Sequence, residues 1–414
     1  MVSGVVRFFI CLCLVNKEMF LMVPQVSQEN FVIFLLTIPF FIWVMLSLMG
    51  FTQFLAGDFF GILFLFLVLS FYVFILISPS AFFFVLFLEA CTFLIILLIF
   101  WLSKDRDKAA SAHIIIFFNI IGSIPFFFFF FSRSRDLSSS TAFWDLVRRR
   151  GVYLGVLTLL LLRKLPIFFM HFWLTKAHVS ASGACSIVLA GLTLKLGGFG
   201  ILKYCFSWHS LYACIGSFLF SMAALGTLIF RFLIVRFFDL KYFVASSSVV
   251  HISLIFPLYS IGSLVGSFSC VRIIVGHGLI SSFMFLLVTL IYESRHNRTF
   301  DFGGSLARVS KRLCFCLAFW FFVNMGVPPL ISFLREVFSV YAVFCFSWNV
   351  LFFFFSCIIL SCLFLMFCLT KIFFCKKNQA YGLETINSLI GSLTFFLPCL
   401  IMLPLFLGCS SSLF

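Results

Sequence analysis

The stretch LAGLTLKLGGFGIL, residues 189–202, places one lysine, Lys195, in the middle of an apolar run. A helix on the surface of a soluble protein would turn this residue toward water, but the run has no polar face to turn. Inserting a lone lysine near the centre of a membrane helix costs about 2.5–3.5 kcal/mol. Such a residue needs polar partners from other helices, and by default it marks an ion or proton pathway.

The composition of the whole chain defines its solvent. Of the 414 residues, 64% are hydrophobic and only 10% are charged, whereas a globular domain carries about 25% charged residues. Apolar runs recur along the chain, and runs of about 20 residues are enough to cross a hydrocarbon core of about 30 Å. The sequence therefore predicts an all-α, polytopic membrane helical bundle and excludes a soluble globular enzyme.

Hydropathy predicts about 13 transmembrane helices. We place them near residues 5–23, 31–52, 58–78, 82–102, 110–131, 152–174, 183–203, 208–230, 243–262, 269–292, 313–338, 340–370 and 387–409. The chain is divided into N-terminal transmembrane helices at 1–57, a first helical unit at 58–203, a second at 208–370 and a C-terminal transmembrane helix at 371–414.

Five ionisable residues lie within the predicted spans or at their interruptions. They are Glu89, Lys164, Lys195, His277 and Glu336. Each has a structural alternative to a pathway role. A lysine can snorkel to the interface, an acid and a base can form a structural ion pair, and a histidine can be satisfied in the core. Arg163, next to Lys164, is expected to snorkel.

Prolines interrupt two of the spans that carry charges. Pro166 follows Lys164, and Pro328 and Pro329 precede Glu336. Proline removes a backbone hydrogen bond, and free carbonyls at membrane depth are tolerated only where protein or water solvates them. When spans three to seven and eight to twelve are taken as two units, each interruption falls in a fourth helix. Because five is odd, the sequence predicts two inverted five-helix repeats with broken helices, which indicate a transport site.

Neither the net charge nor the cysteines indicate a soluble ligand. The formal net charge of +15 is the excess of lysine and arginine that connecting loops of membrane proteins carry, and Lys241 is assigned to such a loop. It requires no nucleic-acid partner. The 16 cysteines include no C-x-x-C pair, so we predict no metal site and interpret them as small buried hydrophobic residues.

Four stretches carry a family resemblance. KLPIFFMHFWLTKAHVSASGACSIVLAGLTLKLGGFGILK, residues 164–203, resembles the central signature of the NADH dehydrogenase subunit 4 family, the antiporter-like proton-pumping subunits of respiratory complex I. DLKYFVASSSVVHIS at 239–253, VGHGLISSFMFLL at 275–287 and GVPPLISFLREV at 326–337 are similar to the later motifs of that family, in order. The resemblance covers roughly residues 58–410.

The resemblance implies a role for particular residues. Carried over by position, the proton relay consists of Glu89, Lys164, Lys195, His277 and Glu336, with His171, His178 and His251 as further family histidines. We expect Glu89 to lie within water-bridged reach of Lys164, and a shift in their pairing to push a proton toward Lys195 and then Glu336. The expected partners of Lys195 are His277 and the serines at 246–248.

The resemblance also implies a function and a location. It implies a proton-translocating subunit of NADH:ubiquinone oxidoreductase, multi-pass in the mitochondrial inner membrane. FMN, iron–sulfur clusters and ubiquinone are expected in partner subunits, and no cofactor or metal in this chain. The expected partners are other complex I membrane subunits, neighbouring antiporter-like subunits among them, and membrane lipids, including cardiolipin. Two alternatives stay open, a stand-alone cation/proton antiporter and a non-pumping membrane scaffold.

Overall fold

The computed structural model describes the central part of the chain. The described residues are 35, 38, 39, 42, 59–78, 80–103, 107–135, 155–166, 171–204, 225, 226, 229, 239–260, 264–295, 311–328, 331–344 and most of 355–370. The spans predicted at 5–23 and 387–409, and nearly all of those at 31–52 and 208–230, lie outside the described residues. The count of 13 spans and the division into two inverted units therefore stay predictions.

The described ranges form helices, and no β-strand occurs among them. In chain order they are α1 (Phe59–Ile77), α2 (Ala81–Leu102), α3 (Lys108–Arg135), α4 (155–164), α5 (Phe172–Ser180), α6 (Gly183–Val188), a π-helical turn (Leu189–Thr193), α7 (Leu194–Tyr204), α8 (Leu240–Ser253), α9 (Ile255–Ser260), α10 (Leu264–Arg295), α11 (Lys311–Met325) and α12 (Ile331–Phe344). The all-α prediction is confirmed.

Six helical stretches in the described ranges are long and apolar enough to cross a membrane. They are Phe60–Ile77, Ala81–Leu102, Lys108–Phe131, Gly183–Tyr204, Leu240–Tyr259 and Val265–Glu293. All six coincide with predicted spans. A helix pairs its own backbone N–H and C=O groups, which is the condition for crossing hydrocarbon. Polar residues mark the ends of α2, where Ser80 accepts from the N–H of Phe83 and the hydroxyl of Ser103 donates to Ile99.

Two helices are broken at the positions that the sequence predicted, near Pro166 and Pro328. The residue range 155–164 is helical, a turn follows at Leu165 and Pro166, and α5 begins only at Phe172. In the second case α11 ends at Met325, Gly326 takes a φ of +79°, and α12 begins at Ile331 beyond Pro328. A continuous helix through either position is excluded, so the prediction of broken helices is confirmed.

One predicted boundary is wrong. Hydropathy placed the end of one span at residue 338 and the start of the next at 340, but α12 runs without interruption from Ile331 to Phe344. The segment SVYAVF around this boundary holds no residue that ends a helix. The break at 326–330 instead separates the two half-helices, and a hydropathy sum cannot place a boundary within a continuous apolar run.

The helices form a buried centre and an exposed periphery. Helix α10 packs against α6, the π-helical turn, α7, α8, α9, α11 and α12. An apolar stretch of 18 residues in each of the spans Gly183–Tyr204 and Val265–Glu293 is fully buried within this one chain, whereas only 11% of such a stretch in Lys108–Phe131 of α3 is buried. The lysine-bearing run of residues 189–202 therefore lies at the centre of the bundle, and α3 lies at its edge.

Glycine permits the closest helix contacts around this centre. A Cβ atom at Gly198 of α7 would lie 2.7 Å from Cδ1 of Ile274 in α10. A Cβ at Gly200 would lie 2.6 Å from Cδ2 of Leu161 in α4. Small residues let membrane helices approach in this way, so the glycines after Lys195 set the spacing between α7 and its neighbours.

We predict that Gly198→Val destabilises the bundle by about 1–3 kcal/mol, the usual cost of overpacking a filled core. The added methyls collide with Ile274, so α7 and α10 must separate. Gly155→Ala is the matched control, because a Cβ at Gly155 meets nothing within 4 Å. Thermal unfolding in detergent should show a lowered midpoint for Gly198→Val alone, and equal midpoints for both variants would contradict the contact.

Candidate functional site: a buried polar path

The first group of the path is an ion pair between α2 and α4. Nη2 of Arg163 lies 2.8 Å from Oε1 of Glu89, and the two side chains are 5% and 21% exposed. The hydroxyl of Thr92 lies 3.4 Å from Oε2 of the same carboxylate. Glu89 therefore has a charged partner inside the protein, which offsets the cost of burying a carboxylate.

Arg163 is anchored on α3 as well as on Glu89. Its Nη1 donates to the backbone carbonyl of Phe118 at 2.5 Å and to that of Asn119. Gly122 makes room for the guanidinium, because a Cβ there would lie 2.7 Å from Nη1. The expectation that Arg163 snorkels to the interface is wrong. Two carbonyls and a carboxylate from other helices bind Nη1 and Nη2 in the interior of the chain, and the local sequence shows none of them.

Lys164 rests on a neutral partner. It is 4% exposed, and its Nζ donates to the side-chain oxygen of Asn119 at 2.9 Å. Glu89 and Arg163 both act on it electrostatically. The direct partner of the Glu89 carboxylate is thus Arg163 rather than Lys164. Asn119 joins the two cations, since its backbone oxygen accepts from Arg163 and its amide oxygen accepts from Lys164.

Lys195 lies just after the π-helical turn and is 1% exposed. Its Nζ donates to the backbone carbonyl of Ala190 within that turn and lies 3.4 Å from the hydroxyl of Ser281 on α10. π-turns are rare and frequently mark functional sites. The lysine also fits against Gly278, where a Cβ would lie 3.2 Å from its Cε.

The serines expected beside Lys195 are bonded elsewhere. The hydroxyl of Ser246 donates to the carbonyl of Phe243, and that of Ser248 donates to Ala245, both within α8. Serines within a helix readily form such bonds to a carbonyl of the preceding turn. The sequence does not show whether a serine makes this local bond or one to another helix. The other expected partner, His277, lies near enough to Lys195 for the two basic groups to repel one another, but the hydrogen-bond partners of the lysine are Ala190 and Ser281.

Three of the four candidate histidines lie around α10. The rings of His251 and His277 are 5.7 Å apart between centroids at 85°. His178 stacks on Phe285 at 4.4 Å and interacts electrostatically with Lys195. The fourth histidine, His171, lies at the start of α5, where its carbonyl accepts from Leu174 at 2.9 Å.

The last group lies at the second helix break. Nη2 of Arg335 is 3.6 Å from Oε1 of Glu336, with the two side chains 3% and 17% exposed. A cavity of about 20 Å³ lies beside them and is lined in part by His251, Arg335, Glu336, Ser339 and Ser361. This volume holds about one water molecule, and its lining supplies the polar partners that a water needs.

Several of the predicted residues lie on helices that contact one another in the described interior. Lys164 and Lys195 lie on helices that touch, because Gly197 would meet Cβ of Lys164 at 3.1 Å if it carried a Cβ. Lys195 acts on His277, His277 packs on His251, and His251 shares the cavity with Glu336. His178 joins at Lys195, and His171 lies apart at the beginning of α5.

Several residues of the path were not predicted from the sequence. They are Asn119, Arg163, Lys241, Ser281 and Arg335. Lys241 was assigned to a loop, but it is 2% exposed and donates to the carbonyl of Ala181 at 2.7 Å. Asp239, two residues earlier, caps α8 and indicates that Lys241 belongs to a helix. No signal along the chain identifies Asn119 or Ser281, because each acts on a residue far away in sequence.

The chain matches a family model over residues 78–364, and that family is described as the transmembrane region of NADH:quinone oxidoreductase and Mrp antiporters. The chain belongs to this antiporter family. Curated members with similar sequences are NADH-ubiquinone oxidoreductase chain 4 of Artemia franciscana, 30% identical over 66% of this chain and 70% of that protein, and of Mytilus edulis, 35% identical over 59% and 57%. The predicted resemblance is confirmed.

Two solved members of the same architecture match nearly the whole chain. A chain of respiratory complex I from Thermus thermophilus, solved with bound NADH, aligns over 97% of this chain and 92% of its own with a TM-score of 0.75. A chain of the Mrp complex from a Dietzia species aligns over 92% and 81% with a TM-score of 0.77. Both are 16% identical to this antiporter-family chain, so they show its fold, that of a multi-pass membrane protein.

The matched region is only part of the relatives' length. It spans 60% of chain 4 from Caenorhabditis elegans, at 32% identity, and 57% of that from Mytilus edulis. The family and the fold of this chain are therefore established, and its activity and partners are taken up as proposals below.

We predict that Gly326→Ala destabilises this family member by about 1–2 kcal/mol, because an L side chain is strained in the left-handed region. Gly326 has a φ of +79°, and a Cβ there would lie 2.6 Å from Oε2 of Glu336. The carboxylate must then leave its place beside the break. A thermal midpoint equal to that of the unaltered protein would show that the turn is not constrained as described.

Proposed function

We propose that this chain is a proton-translocating membrane subunit of respiratory complex I. It couples NADH:ubiquinone electron transfer in partner subunits to proton pumping across the inner mitochondrial membrane. The observation that carries the proposal is Lys195, fully buried at the centre of the bundle and bonded only to neutral oxygens. Membership of the antiporter family and the similarity to chain 4 proteins support it.

The chemistry of the path suits proton transfer. Lysine, histidine and glutamate are the side chains that take and release protons as general acids and bases. In the proposed relay a proton passes from Lys164 to Lys195, onward through His277 and His251, and to Glu336. Glu89 modulates the charge at the first lysine. His178 acts electrostatically on Lys195, and His171 lies at the start of the half-helix that follows the first break, where its backbone carbonyl accepts from Leu174.

In this proposal the relay begins and ends at the two helix breaks. Where a helix is interrupted, backbone groups are free to bind water at membrane depth. Lys164 is the last residue of the first half-helix, and Glu336 lies beside Gly326 at the second break. This arrangement supports a pathway that enters at one break and leaves at the other, within two inverted helical units.

The driving reaction belongs to partner subunits in this proposal. FMN, iron–sulfur clusters and ubiquinone are bound there, and this chain contributes neither a redox centre nor a metal site. Its partners are other complex I membrane subunits, antiporter-like neighbours among them, together with inner-membrane lipids including cardiolipin. Such lipids suit the broadly exposed apolar face of α3.

A stand-alone cation/proton antiporter is the second candidate. The family description includes Mrp antiporters, and the fold matches a chain of an Mrp complex. Purification under mild conditions separates the two readings. Co-purification with flavin- and iron–sulfur-containing proteins favours the complex I subunit, and isolation without them favours the antiporter. A non-pumping scaffold is favoured only if the buried charges prove dispensable.

We predict that Lys195→Met abolishes proton transfer through this chain. Methionine keeps the length and apolar character of the side chain but cannot carry a proton, and removal of a positioned acid or base slows transfer by about 10²- to 10⁴-fold. The measurement is proton uptake per NADH oxidised by the assembled complex in sealed vesicles, with assembly checked on native gels.

Lys203→Met is the matched control on the same helix. Lys203 lies two turns beyond Lys195 and donates to the carbonyl of Ser78 at 2.6 Å, away from the path. This control should assemble and pump as the unaltered complex does. Normal proton stoichiometry in fully assembled Lys195→Met complex would remove the relay role and the main support for a pump.

A further inference from the structure

At the start of the path two basic side chains share one carboxylate, whereas the sequence predicted one lysine paired with one acid. Two basic residues, Arg163 and Lys164, lie next to one another in the chain, and one carboxylate, Glu89, lies close to both. The carboxylate contacts the arginine, while the lysine contacts only an amide. A relay that depends on the pairing of Glu89 with Lys164 must therefore contend with a competing cation.

We propose that Arg163 is a positioning residue of the relay, which holds the Glu89 carboxylate away from Lys164 so that the lysine rests on the neutral amide of Asn119. Lys164 takes up a proton when Glu89 leaves Arg163 and pairs with Lys164, and it releases the proton when Glu89 goes back to Arg163. This proposal rests on the proton-translocating function proposed above and names the group that controls its first step.

Arg163 is suited to be a fixed charge rather than a relay member. Its guanidinium is not deprotonated in proteins, so it cannot pass a proton on. Nη1 is held by the carbonyls of Phe118 and Asn119, and Gly122 leaves space for it against α3. The side chain is 5% exposed, which leaves water little part in screening the pair. Glu89 therefore meets a permanent, immobile cation.

Asn119 binds both basic residues, but through two different oxygens. Its backbone oxygen accepts from Arg163, and its side-chain oxygen accepts from Lys164 at 2.9 Å. An amide oxygen provides a hydrogen bond but no negative charge, so among the residues that the structure describes Lys164 has no contacting counter-ion. Loss of its proton would leave the group of Glu89, Arg163 and Lys164 with no net charge, whereas its ammonium leaves the group at +1.

The exchange involves two groups that already influence one another. Glu89 and Lys164 already act on one another electrostatically. The other groups that act on Lys164 are Arg163 and the buried thiol of Cys91 on α2. From α7, Gly197 faces the lysine stem, because a Cβ there would lie 3.1 Å from Cβ of Lys164. With Glu89 on Arg163, the Lys164 proton passes toward Lys195, and with Glu89 on Lys164, the amine takes up a proton and keeps it.

The test compares three variants of the assembled complex for protons pumped per NADH oxidised. Arg163→Met removes the competing cation, so Glu89 should settle on Lys164 and the proton yield should fall. Asn119→Asp gives Lys164 a permanent carboxylate partner while keeping Arg163, and it should lower the yield in the same way. Arg163→Lys keeps the positive charge and should retain most of the yield. Lys203→Met serves as the control.

A structure of the Arg163→Met complex distinguishes the proposed exchange from a general loss of stability, because only the exchange moves Glu89 to a new partner. The expected result is the Glu89 carboxylate within hydrogen-bond distance of Nζ of Lys164. Unchanged yields in both Arg163→Met and Asn119→Asp would overturn the proposal, as would Arg163→Lys impaired as strongly as Arg163→Met. If Arg163→Met fails to assemble, Asn119→Asp and Arg163→Lys decide.

Lys195→Met, measured in the same preparations, separates this proposal from the function on which it rests. Normal pumping by Lys195→Met would mean that the chain is not a relay, whatever the Arg163 variants do. Loss of pumping by Lys195→Met together with normal pumping by Arg163→Met and Asn119→Asp would leave the relay in place and remove only the role of Arg163.

Discussion

The cost of burying charge in an apolar bundle is the constraint on which this structure depends. A charged side chain in such surroundings is retained only where other helices supply hydrogen bonds or an opposite charge. Glu89 and Glu336 each have an arginine, whereas Lys164 and Lys195 have neutral oxygens. Each acid is thus held in an ion pair with an arginine next to a helix break, and the described residues give neither lysine a contacting carboxylate.

Space for these charges comes from glycine. At four places a glycine lies so close to a charged side chain that an added Cβ would come within 3.2 Å of it. These pairs are Gly122 with Arg163, Gly197 with Lys164, Gly278 with Lys195 and Gly326 with Glu336. Close helix packing excludes lipid and water from the path, so each long charged side chain needs a notch in its neighbour. The same glycines that tighten the bundle therefore also determine where a charge fits.

The helix interruptions help to bury the charges because they free backbone polar groups. The π-helical turn at Leu189–Thr193 offers the Ala190 carbonyl to Lys195, and the left-handed turn at Gly326 lets the Glu336 carboxylate approach the backbone. Regular helices would bury these backbone groups in their own hydrogen bonds. Irregular backbone at the centre of the bundle is therefore part of how the path is solvated.

The sequence by itself determined the solvent, the helical class, five of the ionisable residues inside the helices and both helix breaks. Hydropathy and proline act locally, so they can be evaluated along the chain. Only the tertiary structure decided the partner of each charge. Arg163 reaches Glu89 across 74 residues and Lys195 reaches Ser281 across 86. Such pairs depend on the rotation and spacing of helices packed against each other. For the same reason the sequence placed Arg163 at the interface and Lys241 in a loop, while packing buries both.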